Sequence, residues 1–263
     1  MREEKNELSK GGLSMKIIVL PEQQVAGFIF NDLERQLNRK PNSVLGMTTG
    51  STPLTLGIYQ EWVKRVNNGE IDFSKATFVN PDELVGLPEN HPETYRMYMK
   101  RHLFSQIGVS NEQTLIPNSG AEDAEEECRI FELYLKELVG IDWQLMGLGL
   151  NGHIAFIEPA DSIPTTTYVV KLEEVNCPRL IDLDSEKIIT HAITVGLGTV
   201  FGAGSIMLAA VGEKKADIVA QALLGPVTTR VPASFLQLHS NATIVLDEGA
   251  ASKLPENLLV RLN

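Results

Sequence analysis

The stretch Trp143-Gln144-Leu145-Met146-Gly147-Leu148-Gly149-Leu150-Asn151-Gly152-His153-Ile154-Ala155-Phe156-Ile157-Glu158-Pro159 joins an apolar run to a glycine-rich loop. An apolar run of this length reads as a buried strand, and glycines straight after it let the backbone turn sharply and approach a ligand. His153 and Glu158 then place an imidazole and a carboxylate beside that backbone. In an open parallel sheet, ligands bind beyond the carboxyl ends of the strands. The segment is therefore both a fold signal and a candidate active site.

Outward from it, short apolar runs alternate with longer amphipathic segments. The spacing predicts strands over 17–20, 44–48, 77–80, 143–148, 192–195, 206–211 and 242–246. It predicts helices over 22–37, 53–66, 92–107, 122–138 and 213–223, with Pro53 and Pro92 suited to first turns. Such alternation builds an α/β fold, a mostly parallel sheet with helices on both faces. One domain over 15–263 is the simplest reading, with the irregular 158–187 region as a lid. Residues 1–14 are polar, lack the apolar centre of a secretion signal, and read as a mobile extension.

The 263 residues are 43% hydrophobic and 22% charged, as in an ordinary soluble globular protein. A formal net charge of -11 argues against nucleic acid as a partner, because phosphate neutralisation needs a basic face. It leaves room for a small phosphorylated ligand, which needs only local donors. No apolar segment is long enough to span a bilayer. Cys128 and Cys177 have no metal-ligand spacing and make no disulfide scaffold, so a cytoplasmic location is expected.

Chemistry concentrates at four places. At Thr48-Thr49-Gly50-Ser51-Thr52-Pro53 a strand ends in a hydroxyl-rich turn before a helix, which suits an anion; the alternative is a plain helix cap at Thr52. The turn lacks the glycines and lysine of a Walker loop. At Asn80-Pro81-Asp82-Glu83 two adjacent carboxylates follow an apolar strand. On extended backbone their side chains diverge, so they need not face one site; the alternative is a solvated turn. The loop around His153 is the third place, against the alternative of a structural histidine. No second histidine stands at zinc-ligand spacing, and no nucleophile elbow is present. Fourth, Arg179 and Lys215 are candidate phosphate clamps, or else surface charges.

In this order, these pieces resemble the glucosamine-6-phosphate deaminase/isomerase family. The resemblance runs over nearly the whole chain after Met15. It also takes in Thr194-Val195-Gly196-Leu197-Gly198-Thr199 and Val231-Pro232-Ala233-Ser234-Phe235-Leu236-Gln237-Leu238-His239. It implies a three-layer Rossmann-like fold, a sugar-phosphate substrate and aldose-to-ketose isomerisation with loss of ammonia, without metal or nucleotide cofactor. Asp82 would move a proton between the first two sugar carbons. His153 would open the pyranose ring, and Glu158 would orient or help protonate it. Thr49, Gly50, Ser51, Thr52, Arg179 and Lys215 would hold the phosphate.

The chain departs from the family pattern in three places. Many deaminases carry aspartate where Asn151 stands; an amide orients the imidazole but adds no charge. That version looks like members described as galactosamine-6-phosphate deaminase/isomerases, which tilts the expected epimer toward galactosamine. Ile157 replaces a usual asparagine. Ser162-Ile163-Pro164-Thr165-Thr166-Thr167-Tyr168 replaces an arginine-rich allosteric stretch, so no amino-sugar activation of that type is expected. The number of subunits stays open, a homo-oligomer included. Two other readings are a 6-phosphogluconolactonase, a hydrolase of the same superfamily, and a non-catalytic sugar-phosphate sensor. Leu84 after the acidic pair, and Glu158-Pro159, speak against the lactonase.

Overall fold

The computed structural model describes residues 15–172, 181–182 and 187–262. In chain order the strands are Lys16–Val19 (β1), Val44–Gly46 (β2), Thr77–Val79 (β3), Asp82–Leu84 (β4), Thr114–Leu115 (β5), Trp143–Gly147 (β6), Tyr168–Lys171 (β7), Ile181–Asp182 (β8), Lys187–Ile188 (β9), His191–Thr194 (β10), Ile206–Ala210 (β11), Ala242–Leu246 (β12) and Leu259–Arg261 (β13). The α-helices are Glu22–Arg39 (α1), Ser51–Thr55 (α2), Ile58–Asn67 (α3), Tyr95–Met99 (α4), Ser105–Ile107 (α5), Ala124–Glu137 (α6), Leu197–Phe201 (α7), Ala216–Leu224 (α8) and Glu248–Ala251 (α9).

Eight strands form one sheet in the order β13-β1-β12-β11-β6-β2-β3-β5, and every neighbouring pair is parallel. Side chains alternate across it. Ile17, Val19, Met146, Leu208 and Ile244 enter the core on one face; Ile18, Leu45, Leu145, Met207 and Val245 enter the other. Two buried faces require strands that are apolar throughout, which is how these runs read. Helix α6 packs on the first face through Phe131 and Leu135, and α8 through Ile218 and Val219. On the second face α1 contributes Ile29, Phe30 and Leu33, and α3 contributes Tyr59 and Trp62. The three-layer α/β expectation is met.

The path of the chain locates the site. From β2 it moves outward to β3 and β5, then returns to β6 on the other flank of β2, and continues to β11 and β12. The winding reverses between β2 and β6, and ligands bind in the crevice beyond the strands at such a reversal. Asp142 fixes that seam. Its Oδ2 accepts from the Val44 N–H at 2.8 Å and pairs with Lys40 Nζ at 2.8 Å.

Several elements differ from expectation. The 53–66 helix is two helices, α2 and α3, because Gly57 turns left-handed (φ 66°) between them. The 92–107 helix starts later, at Tyr95, where the Thr94 hydroxyl accepts from the Met97 N–H at 3.2 Å. Pro92 therefore lies before the helix, which then widens into a π-turn over Lys100–Phe104. The 192–195 strand is not in the main sheet. As β10 it pairs antiparallel with β4 and β7 in a small sheet of its own. Residues 1–14, and residues 173–180 and 183–186 of the 158–187 region, lie outside the described residues.

Candidate active site

A cavity of about 320 Å³ opens at the β2/β6 reversal. The turn after β2 lines one side with Thr49, Gly50, Ser51 and Thr52; the loop after β6 lines another with Gly149 and His153; Asp82 and Lys215 complete it. Gly50 occupies the position before α2 with φ 88°, which the missing Cβ permits, and no side chain caps that helix. Thr52 lies inside α2, so the alternative of a cap at Thr52 is not what forms. Two tyrosines hold the turn from behind. Tyr59 donates to the Thr48 carbonyl, and Tyr98 donates to the Gly50 carbonyl at 2.7 Å.

The acidic pair forms strand β4, not a solvated turn, and its two side chains diverge. Asp82 is 5% exposed yet lines the cavity, and its Oδ1 has no hydrogen-bond partner among the described residues. Burial, then the neighbouring Glu83 carboxylate, pushes its pKa up to about 8. Glu83 points the other way and is fully buried. Its Oε1 accepts from the Leu84 and Tyr95 N–H groups at 2.8 Å each, and its Oε2 from the Arg96 N–H at 2.9 Å. Burial raises its pKa to about 7 against the pull of those three donors.

The imidazole loop is tightly folded. The Gly149 N–H donates to the His153 carbonyl at 2.9 Å, and a Cβ on Gly149 would stand 2.3 Å from the His153 ring. Only glycine lets the ring lie there. Ala155 takes φ 50°, a left-handed conformation that costs an L-residue about 1–2 kcal/mol and that concentrates at functional sites. His153 Nδ1 lies 3.2 Å from Glu158 Oε1. Asn151 braces both, donating to Glu158 Oε2 at 2.6 Å and accepting from the His153 N–H at 3.1 Å. Asn151 and Glu158 thus stand behind the imidazole and do not line the cavity. Ile157 is fully buried in the core.

Lys215 follows β11, at the end of the short 3-10 turn Glu213–Lys215. Its ammonium donates to the Leu148 carbonyl, and burial lowers its pKa. Arg179, the other expected clamp, lies outside the described residues. Among the described residues no cluster of His, Cys, Asp and Glu forms a metal site, and no helix is long and apolar enough to cross a membrane. Sequence reasoning singled out Glu83 as half of the acidic pair but gave it no role of its own, and it missed Tyr95 and Tyr98. The signal for the tyrosines was present: spaced three apart, they share a helix face.

A model of glucosamine-6-phosphate isomerases/6-phosphogluconolactonase matches residues 21–245. The chain belongs to this family. A protein named glucosamine-6-phosphate deaminase from Thermoanaerobacter sp. (strain X514) is 43% identical over 226 residues, 85% of this chain and 88% of that one. One of the same name from Streptomyces avermitilis is 40% identical over 244 residues, 91% of this chain and 93% of its own. Among solved structures, a monomeric glucosamine-6-phosphate deaminase superposes with TM-score 0.83 at 34% identity, over 91% of this chain and 100% of its own. A 6-phosphogluconolactonase from Trypanosoma cruzi gives TM-score 0.72 at 18% identity, over 91% and 96%, and shares the fold alone. The fold is thus common to a deaminase and a lactonase, and it does not by itself separate the two activities.

Proposed function

We propose that this family member is a glucosamine-6-phosphate deaminase, which converts an amino-aldose phosphate and water into fructose-6-phosphate and ammonia. One observation carries the reading. A buried carboxylate, an imidazole backed by a second carboxylate, and a lysine beside a hydroxyl-rich turn all face one cavity. The names of the relatives at 40–43% identity support it.

In this mechanism the 49–52 turn and Lys215 hold the phosphate, far from the reacting carbons, and binding energy there positions the sugar. His153 moves a proton at the ring oxygen and so opens the pyranose, with Glu158 orienting the ring. Asp82 takes the proton from C2 and returns it to C1, leaving an imine at C2. Water hydrolyses that imine and ammonia departs. A carboxyl whose pKa is pushed up to about 8 is a stronger base than an exposed one, and the substrate ammonium beside it favours its ionised form. Asn151 stands behind the imidazole, outside the cavity lining, and the epimer toward which the resemblance tilts, galactosamine, is decided by assay of both substrates.

The test is ammonia release from both epimeric hexosamine 6-phosphates, coupled to a ketose-phosphate readout. Turnover of the glucosamine epimer is expected. Inactivity on both, with hydrolysis of 6-phosphogluconolactone, overturns the reading in favour of a lactonase; binding of the amino sugars without turnover of any of the three overturns it in favour of a sensor.

A further inference from the structure

Glu83 is the buried carboxylate that the mechanism leaves unused. Three charge-assisted hydrogen bonds to backbone N–H groups are a strong anchor, and two of them come from the first turn of α4. That turn reaches two walls of the cavity. Tyr95 lines the cavity and stacks on Phe156 of the imidazole loop, ring centroids 5.8 Å apart and planes 15° apart. Tyr98, one turn along, holds the Gly50 carbonyl in the anion-binding turn. The strand on which Glu83 sits carries Asp82.

We propose that Glu83 is a positioning residue: by pinning the first turn of α4 to β4, it sets the base, the imidazole loop and the phosphate turn in one geometry. Although the two side chains diverge, its charge also bears on neighbouring Asp82, and it faces Arg96 and Tyr95 from α4. Asp82 in turn faces Tyr59 from α3, and His153 and Lys215 across the cavity. The structural part stands alone; the kinetic part rests on the deaminase reading.

Two measurements on Glu83→Gln test it, both against the wild type. The first is backbone amide exchange at Tyr95 and Arg96 in the folded protein without substrate. Gln offers one acceptor oxygen in place of two, so exchange at these amides should speed by about tenfold or more. The second is kinetic. The turnover number should fall at least about tenfold and KM should rise, because misplacement by an ångström is costly. The acid limb of kcat/KM should move to lower pH, since a negative neighbour of Asp82 is gone; Glu83→Asp, which keeps the charge, should restore that limb.

Tyr98→Phe, at a half-buried site, tests the phosphate branch without disturbing the core. Its KM should rise about fivefold with kcat nearly unchanged. Wild-type exchange at Tyr95 and Arg96 in Glu83→Gln overturns the proposal. So does a Glu83→Gln protein with wild-type kcat, KM and acid limb, or a Tyr98→Phe protein with wild-type KM. Wild-type protein inactive on amino sugars would instead sink the deaminase reading and leave the exchange result standing.

Discussion

The Asn151 amide donates to Oε2 of Glu158 at 2.6 Å, and so fixes the carboxylate whose other oxygen meets the His153 imidazole. Asn151→Ala removes that donor and the acceptor of the His153 N–H. Stability should drop by about 1 kcal/mol for each partly buried hydrogen bond lost. Turnover should fall further, by about 10- to 100-fold, because the imidazole loses its orientation. Thermal unfolding and steady-state kinetics on the same preparation separate the two effects. Equal turnover in variant and wild type would contradict the bracing role.

Asp82→Asn keeps the shape and removes the proposed base. Ammonia release should fall by about 10²- to 10⁴-fold, while a phosphorylated sugar alcohol still binds by calorimetry. Lost binding with intact turnover of the remaining fraction would contradict the assignment.

The same substitution should change how stability depends on pH. Burial pushes the folded pKa of Asp82 up to about 8, above the ordinary aspartate value of 3.8. The stability tied to this group is therefore complete below about pH 4 and is lost as pH rises through about 8. Glu83, raised to about 7, adds a loss of the same sign. Asn cannot ionise, so Asp82→Asn should gain on the wild type as pH climbs from 4 to 8. Denaturant melts at the two ends of this range measure the gap; a constant gap would disprove the raised pKa.

Lys215→Ala should raise KM about tenfold or more and change kcat little, the signature of binding that ground and transition states share. Burial lowers the Lys215 pKa, so the wild-type KM should itself climb on the alkaline side as the ammonium loses its proton. A variant with unchanged KM and reduced kcat would place Lys215 in the chemistry instead.

Gly149→Ala should push the imidazole aside, since the new Cβ would stand 2.3 Å from the ring. About 100-fold loss of kcat is expected, with phosphate-ligand affinity near the wild-type value. A crystal structure of the variant with the ring unmoved would refute this.

The sequence shows some of this architecture more plainly than the rest. Strand β6 and its loop are legible because a doubly buried strand is apolar throughout and the glycines follow it directly. Strand β10 has the same look, yet residues 192–195 do not reveal that their partners are antiparallel and remote. Strand β4 is hidden for a different reason. Two acids suggest a turn by composition, and it takes the N–H groups of Tyr95 and Arg96, beyond the strand, together with that of Leu84, to make Glu83 tolerable inside. Strands β5 and β13 are too short, at two and three residues, to display an alternation. Thr49 to Thr52, Asp82, His153 and Lys215 do converge on one cavity, while Asn151 and Glu158 stand behind the imidazole.

The placement of β1 bears on how the chain is made. Its neighbours in the sheet are β12 and β13, so Ile17 lies beside Ile244 and Leu259. On a ribosome adding about 5–20 residues each second, that first strand waits roughly 10–45 s for its partners to emerge. During synthesis its apolar edges stand open to aggregation or to a chaperone, and the final closure of the sheet is a late, non-local event.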